Sequence, residues 1–179
     1  MKKVVLLISL ILLFVCGCSA SVKKESKLED EDKISSEYSL PDEHLFTYLN
    51  ISEFEKLLNS GKGIVVISSP DNDFSEYFLN AFNDVLRDLD IDKVYYFDYL
   101  NVKDLSDDLK EKLSLEEDRT IKPLFYLINK GKIVEKYNLD LFEVEDTTPF
   151  SNKDFMEKLN NYYKDIICKL YNKNDNCKK

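Results

Sequence analysis

The stretch IVVISSPDNDFSEYF, residues 64–78, joins a strand, a turn and the start of a helix. Ile64 to Ile67 form a continuous β-branched run, which is typical of a strand buried on both faces. Ser69 and Pro70 then indicate a turn. Apolar residues recur at helical spacing from Phe74 to Leu89, so we expect a helix over about residues 73–88 with one face in a core.

A second stretch, TIKPLFYLINKGKIV (residues 120–134), predicts a β-hairpin preceded by a proline. The first strand is apolar from Leu124 to Ile128. Lys130 and Gly131 supply the turn, because glycine accepts positive φ at little cost.

From residue 45 onward, apolar residues also recur at the spacing of strands and helices in the rest of the chain. We expect strands at 46–49 and 93–99 and helices at 104–113 and from Ser151 or Asn152 to Ile167. Another helix should start near residue 52, where Ser52 and Glu55 have the spacing of a capping box. The resulting order is βαβαβαββα.

These segments resemble the thioredoxin family, in which a strand–turn–helix unit carries two redox cysteines and a cis-proline faces them across a substrate groove. The resemblance covers roughly residues 45–170. It implies an α/β, thioredoxin-like three-layer fold with a mixed central sheet flanked by helices. It places Asn72 and Ser75 at the cysteine positions and makes Pro123 the expected cis-proline.

The local pattern Ser69-Pro70-x-Asn72-x-x-Ser75 is most similar to exported and bacteriocin-accessory thioredoxin-like proteins of Gram-positive bacteria. Both cysteines are replaced, and the chain has no tryptophan. Thiol–disulfide exchange needs a thiolate, which neither asparagine nor serine can supply. The site is therefore expected to be a degenerate redox site without catalytic residues, and no cofactor is expected.

The acidic turn at residues 71–76 also begins like a calcium-binding loop. A full loop of that kind needs glycine at its sixth position and glutamate at its twelfth, which are Glu76 and Phe82 here. Helix capping is the simpler interpretation. No metal site is expected at this turn.

The N-terminus predicts a bacterial lipoprotein. Lys2 and Lys3 precede an apolar run from Val4 to Val15, which is too short for a mature membrane span. The sequence VCGC, residues 15–18, resembles a lipobox with Cys18 as the lipidated residue. A plain signal peptide or an uncleaved anchor is the alternative.

These features divide the chain into a signal peptide (1–17), a disordered tether (18–44), a thioredoxin-like domain (45–170) and a C-terminal tail (171–179). The tether is assigned from its density of charge and its few apolar residues. The lone histidine, His44, lies in the tether, far in sequence from Cys168 and Cys177, so a Cys/His metal site is not expected.

Cys16 leaves with the predicted signal peptide and Cys18 is the predicted lipidation site, so Cys168 and Cys177 are the two remaining cysteines. In an exported protein such a pair favours a disulfide. Their separation requires the final helix to end between them, because nine helical residues would hold the Cα atoms about 13 Å apart.

The net charge of the chain limits the classes of molecule that it is expected to bind. Without residues 1–17 the chain carries 23 basic and 34 acidic residues, a formal net charge of −11. This repels phosphate backbones, so nucleic acid is not an expected partner.

Two function classes remain. The first is a membrane-anchored, extracytoplasmic module that binds an extended peptide or a protein partner. The second is an enzyme, either an oxidoreductase acting through Cys168 and Cys177 or a hydrolase. The sequence offers no nucleophile–base arrangement, which favours the first.

Overall fold

Five strands form one mixed sheet in the order β1-β3-β2-β4-β5. The structure, a computed structural model, describes residues 29–30, 32–115, 122–171 and 177. β1 (Phe46–Tyr48), β2 (Gly63–Ser68) and β3 (Val94–Asp98) are parallel. β4 (Leu124–Asn129) is antiparallel to β2, and β5 (Lys132–Tyr137) is antiparallel to β4.

Helices cover both faces of this sheet. α1 (Ile51–Ser60) and α3 (Asp107–Leu113) contribute to one hydrophobic cluster, whereas α2 (Ser75–Asp88) and α4 (Lys153–Leu170) contribute to the other. There are also two 3-10 helices: Tyr99–Asp104 lies between β3 and α3, and Thr148–Ser151 lies between β5 and α4. The strand order, strand directions and helix positions are those of a thioredoxin-like α/β fold, which confirms the expected fold class.

The sheet is buried where the sequence predicted it. Ile64, Val65, Val66 and Ile67 of β2 are fully buried, because successive side chains point alternately into the two helix layers. Phe78 and Phe82 of α2 are also fully buried. The apolar periodicity therefore gives the correct faces of these elements.

The start of α1 differs from the expectation. Asn50, and not Ser52, is the N-cap, and Glu53 completes a reciprocal capping box with it. The Asn50 side chain accepts a bond from the Glu53 N–H at 2.9 Å, and Glu53 accepts from the Asn50 N–H at 3.2 Å. Asparagine is as good an N-cap as serine, so the two overlapping patterns compete.

The prediction of a disordered tether over residues 18–44 is wrong for residues 32–44, which we call the strap. Residues 32–37 are helical, and Ile34, Tyr38 and Leu40 are only 1%, 1% and 5% exposed. The high average charge of the segment hides three apolar side chains that pack together against the α2 side of the core.

Hydrogen bonds from α2 also hold the strap. The Asn80 amide donates to the Tyr38 carbonyl at 3.0 Å, and Arg87 donates to the Glu43 carbonyl at 2.6 Å. The Leu45 N–H, just after the strap, donates to the Asn83 side chain at 3.0 Å. The folded domain therefore begins before residue 45.

The predicted signal peptide, Cys18 and most of the tail lie outside the described residues. Within the part that the structure describes, no helix has the length and apolar character needed to cross a membrane. Cys168 and Cys177 are joined by a disulfide with a Cα separation of 5.3 Å. α4 ends at Leu170, between the two cysteines.

Candidate functional site

The predicted degenerate site is a loop between β2 and α2. Asn72 donates its N–H to the Ser69 carbonyl at 3.3 Å, and Ser75 donates its N–H to the Asn72 carbonyl at 3.0 Å. The Asn72 side chain accepts from the Phe74 N–H at 3.0 Å. The Asn72 side chain therefore closes a turn just before α2. It does not cap the helix as the sequence predicted, because the N-cap of α2 is Phe74 and has no side-chain cap.

Asn72 and Ser75, which the resemblance placed at the cysteine positions, have different environments. Asn72 is partly exposed, whereas Ser75 is fully buried at the first turn of α2. The buried hydroxyl of Ser68, the last residue of β2, donates to the Ser75 hydroxyl at 3.1 Å. The inner position of the loop is thus occupied by a satisfied hydroxyl pair, which has no thiol chemistry.

Two tyrosines lie behind this hydroxyl pair, and the sequence did not identify either as part of the site. The Tyr96 hydroxyl of β3 donates to the Ser68 carbonyl at 3.3 Å, and the hydroxyls of Tyr38 and Tyr96 lie 2.8 Å apart. Burial raises the pKa of both phenols far above the usual value, so they remain protonated at neutral pH. Tyr38 belongs to the strap, whose charged sequence predicted disorder, so no contact with the site was expected.

Asp98 ends β3 beside Ser68, its partner in the strand register. Asp98 is 3% exposed, and its carboxylate accepts from the Leu100 N–H at 2.9 Å. The ammonium of Lys33, in the strap, lies 3.9 Å from the other carboxylate oxygen. Asp98 thus caps the following 3-10 helix and contacts the strap at the same strand end that carries the loop.

Pro123 lies next to this strand end, but in a different conformation from the one expected. Ile67 pairs with Leu124, so the residue before Leu124 is level with Ser68. Pro123 is buried, and the Lys122–Pro123 bond is trans, because the described residues contain no cis peptide bond. The expectation of a cis-proline is therefore wrong. Trans is the lower-energy state of such a bond unless its surroundings select cis.

A fifteen-residue connection, residues 138–152, follows β5 and reaches the same end of the sheet. Its Phe150 ring stacks on Tyr77 of α2 at 4.9 Å and meets Phe78 edge-on at 5.0 Å. Lys122 donates to the Phe142 carbonyl at 2.5 Å. The connection is therefore fixed beside the loop, and we call residues 69–77 together with 138–152 the loop edge.

The loop edge is acidic and partly apolar. Leu141 is 47% exposed and Tyr77 is 38% exposed. The sequence of the loop edge contains no lysine or arginine, and it has seven acidic residues: Asp71, Asp73, Glu76, Asp140, Glu143, Glu145 and Asp146. Among the described residues no group of three or more potential metal ligands comes together.

The opposite end of the sheet carries different features. An open cavity there is lined by Lys62, Asp90, Ile91, Asp92, Lys93, Tyr95 and Tyr171. Cys168 lies one turn before Tyr171 at the end of α4, whereas α4 begins next to the loop edge. The disulfide is therefore at the far end of the molecule from Asn72 and Ser75.

Comparisons with known proteins give limited information. No protein-family model matches the chain, and none of the curated proteins matches it. Four solved chains match. One of them, described as "A putative oxidoreductase with a thioredoxin fold", is 20% identical, with 60% of this chain and 95% of that chain covered and a TM-score of 0.42. The fold assignment above rests on the strand order and directions.

Proposed function

We propose that this chain is a lipid-anchored, redox-inactive thioredoxin-like module that binds an extended peptide or a protein partner on the extracytoplasmic face of a bacterial membrane. The observation that carries the proposal is the loop between β2 and α2. The topology of the fold is retained, yet Asn72 and the buried Ser75 stand where a thiol pair would act, and each is engaged in a hydrogen bond.

The anchoring part of the proposal rests on the sequence. Lys2 and Lys3, the apolar run and the small residues before Cys18 fit a lipoprotein signal. A diacylglycerol thioether would bring two acyl chains, enough for stable membrane attachment. Cys18→Ala should therefore release the protein from membranes or leave an unprocessed precursor.

The binding part rests on the loop edge. A fifteen-residue connection without a long helix or strand is unusual in a small domain, and connections of this length commonly carry function. Exposed Tyr77 and Leu141 offer apolar contact area beside the carboxylates. Aromatic side chains in such settings are preferred contact residues of protein interfaces.

Site-specific photo-cross-linking in cells tests the binding role. A cross-linker at Tyr77 should give a discrete adduct, whereas the same group at Asp92, which is exposed at the opposite end of the sheet, should not. Comparable adducts from both positions, or none from Tyr77, would count against the loop edge as the binding surface.

The alternative is an oxidoreductase acting through Cys168 and Cys177. In the structure this pair closes the C-terminal tail onto α4, at the end of the sheet away from the loop. A short loop closed in this way stabilises a domain by about 2–3 kcal/mol in the chain-entropy model. Structural stabilisation accounts for the pair without any catalytic role.

A further inference from the structure

The strap connects the N-terminal part of the chain to a particular end of the sheet. We propose that the loop edge therefore faces the membrane, and that the partner is a protein segment presented close to the bilayer surface. The inference rests on the lipid anchor of the proposed function, and it adds an orientation and a location for the partner.

The path of the strap is fixed at both ends. Lys33 is beside Asp98, the last residue of β3, and the Tyr38 hydroxyl reaches the Tyr96 hydroxyl at 2.8 Å. After the strap, the Leu45 carbonyl accepts from the N–H of Val94, the first residue of β3, at 2.9 Å. The strap therefore starts at the end of the sheet that carries the loop edge and runs to the opposite end, where β1 begins.

The contacts of the strap make this path a stable part of the domain. Ile34, Tyr38 and Leu40 are almost completely buried, and Asn80 fixes the backbone at Tyr38. The point at which the anchored chain joins the domain is thus near residue 32, beside Asp98, at the same end of the sheet as the loop edge. With a free tether up to residue 44, that point would have been at the opposite end of the sheet.

Chain length limits the distance from the membrane. From Cys18 to Asp32 there are fourteen residue steps, which span at most about 50 Å when fully extended. The two ends of the sheet are separated by about 20 Å, the length of a six-residue strand. A domain attached at one end and held this close keeps that end nearer to the bilayer on average.

Charge indicates which component near the membrane the loop edge contacts. The loop edge carries seven carboxylates, and two lysines from neighbouring segments also reach it: Lys122 donates to the Phe142 carbonyl, and the Lys158 ammonium lies 5.4 Å from the centre of the Phe142 ring. The carboxylates outnumber these lysines, so anionic lipid headgroups would be repelled. A cationic or neutral segment of a membrane protein suits the same surface, and Tyr77 and Leu141 add apolar contact. We therefore assign the loop edge to a protein partner and not to the bilayer itself.

Energy transfer in vesicles tests the orientation. The lipidated full chain, reconstituted in vesicles that carry a headgroup acceptor dye, is labelled through Asp73→Cys at the loop edge or Asp92→Cys at the opposite end. Both positions are exposed, and the native pair Cys168–Cys177 is bonded and does not take the label. Transfer from position 73 should exceed that from position 92 about twofold or more, given the ~20 Å between the two ends.

A matched control lengthens the connection without touching the domain. About thirty Gly/Ser residues inserted after Lys24 add some 30 Å of average reach, and the difference between the two labels should disappear. In cells the same insertion should lower the Tyr77 cross-link several-fold, because the partner is held near the bilayer. An unchanged yield would mean a freely diffusing partner and would overturn that part of the proposal.

The outcomes separate the inference from the proposed function. Vesicle-bound protein with equal transfer from both labels, or more from position 92, overturns the orientation and leaves anchoring and binding intact. Protein that carries no lipid and stays in solution overturns the orientation together with the anchor.

Discussion

At the scale of single residues, a buried pair of hydroxyl groups joins the last residue of β2 to the first residue of α2. Ser68 and Ser75 are buried and bonded to each other, and Tyr96 contacts the Ser68 carbonyl. The sequence identified Asn72 and Ser75 because they follow a recognisable strand, and Pro123 because it immediately precedes one. It could not identify Ser68, Tyr96 and Tyr38 as their neighbours, because those contacts join residues that lie far apart in the chain.

The serine pair should behave as a coupled unit. Ser75→Ala leaves the buried Ser68 hydroxyl without its acceptor, and we expect a loss of about 1–2 kcal/mol in the free energy of unfolding. Ser68→Ala should cost a similar amount, and the double variant less than the sum of the two. Urea unfolding of all three measures this, with the exposed Ser52→Ala as control. Strict additivity would show that the hydroxyls do not interact.

Buried phenols predict a loss of stability in alkali. Burial raises the pKa of Tyr38, Tyr96, Tyr126 and Tyr163. In the unfolded chain a phenol ionises near pH 10. Above that pH the unfolded state releases protons that the native state retains, so the free energy of unfolding falls by up to about 1.4 kcal/mol per pH unit for each phenol, whereas below pH 10 these groups add no pH dependence.

Urea unfolding between pH 8 and pH 11 tests this alkaline behaviour. Tyr163→Phe should make the decrease above pH 10 shallower while leaving the region below pH 9 flat. A free energy of unfolding that stays constant up to pH 11 would show that these phenols ionise as readily in the native protein as in the unfolded chain.

At the scale of elements, local periodicity was sufficient for most of the fold and failed in the strap. The strands and helices from residue 46 onward were predictable because their apolar residues repeat at the period of the element that they form. In residues 32–44 only three apolar side chains become buried, and they are separated by charged and polar residues. Such a segment becomes ordered only because α2 and β3 supply a surface for it.

Ile34 reports whether the strap is part of the folded domain. Ile34→Ala removes a side chain that is 1% exposed, so we expect a loss of about 2–4 kcal/mol in the free energy of unfolding. Ser36→Ala, two residues away and exposed, should change it by less than about 0.5 kcal/mol. Chemical denaturation of both variants gives the comparison. If both variants change the free energy of unfolding equally and negligibly, residues 32–44 are a disordered tether, as the sequence predicted.

At the scale of the whole molecule, the two ends of the sheet have separate roles in this account. One end carries the loop, the acidic connection and the start of the strap, and the other carries the cavity and the disulfide. The topology could be predicted because the order of the elements leaves few arrangements of a mixed sheet. The meeting of the strap and residues 138–152 at one end could not, because it depends on contacts between distant parts of the chain.

The most direct test of the central claim is an insulin-reduction assay of the wild-type protein beside Asn72→Cys/Ser75→Cys. The wild type should show no thiol–disulfide activity, because Asn72 and Ser75 cannot form a mixed disulfide. The double variant should gain measurable activity, because residues 72 and 75 have the spacing of a CxxC pair and the Ser75 N–H donates to the Asn72 carbonyl at 3.0 Å, which holds the two positions close together. Activity in the wild type that disappears in Cys168→Ser/Cys177→Ser would contradict the account and establish the C-terminal pair as a redox centre.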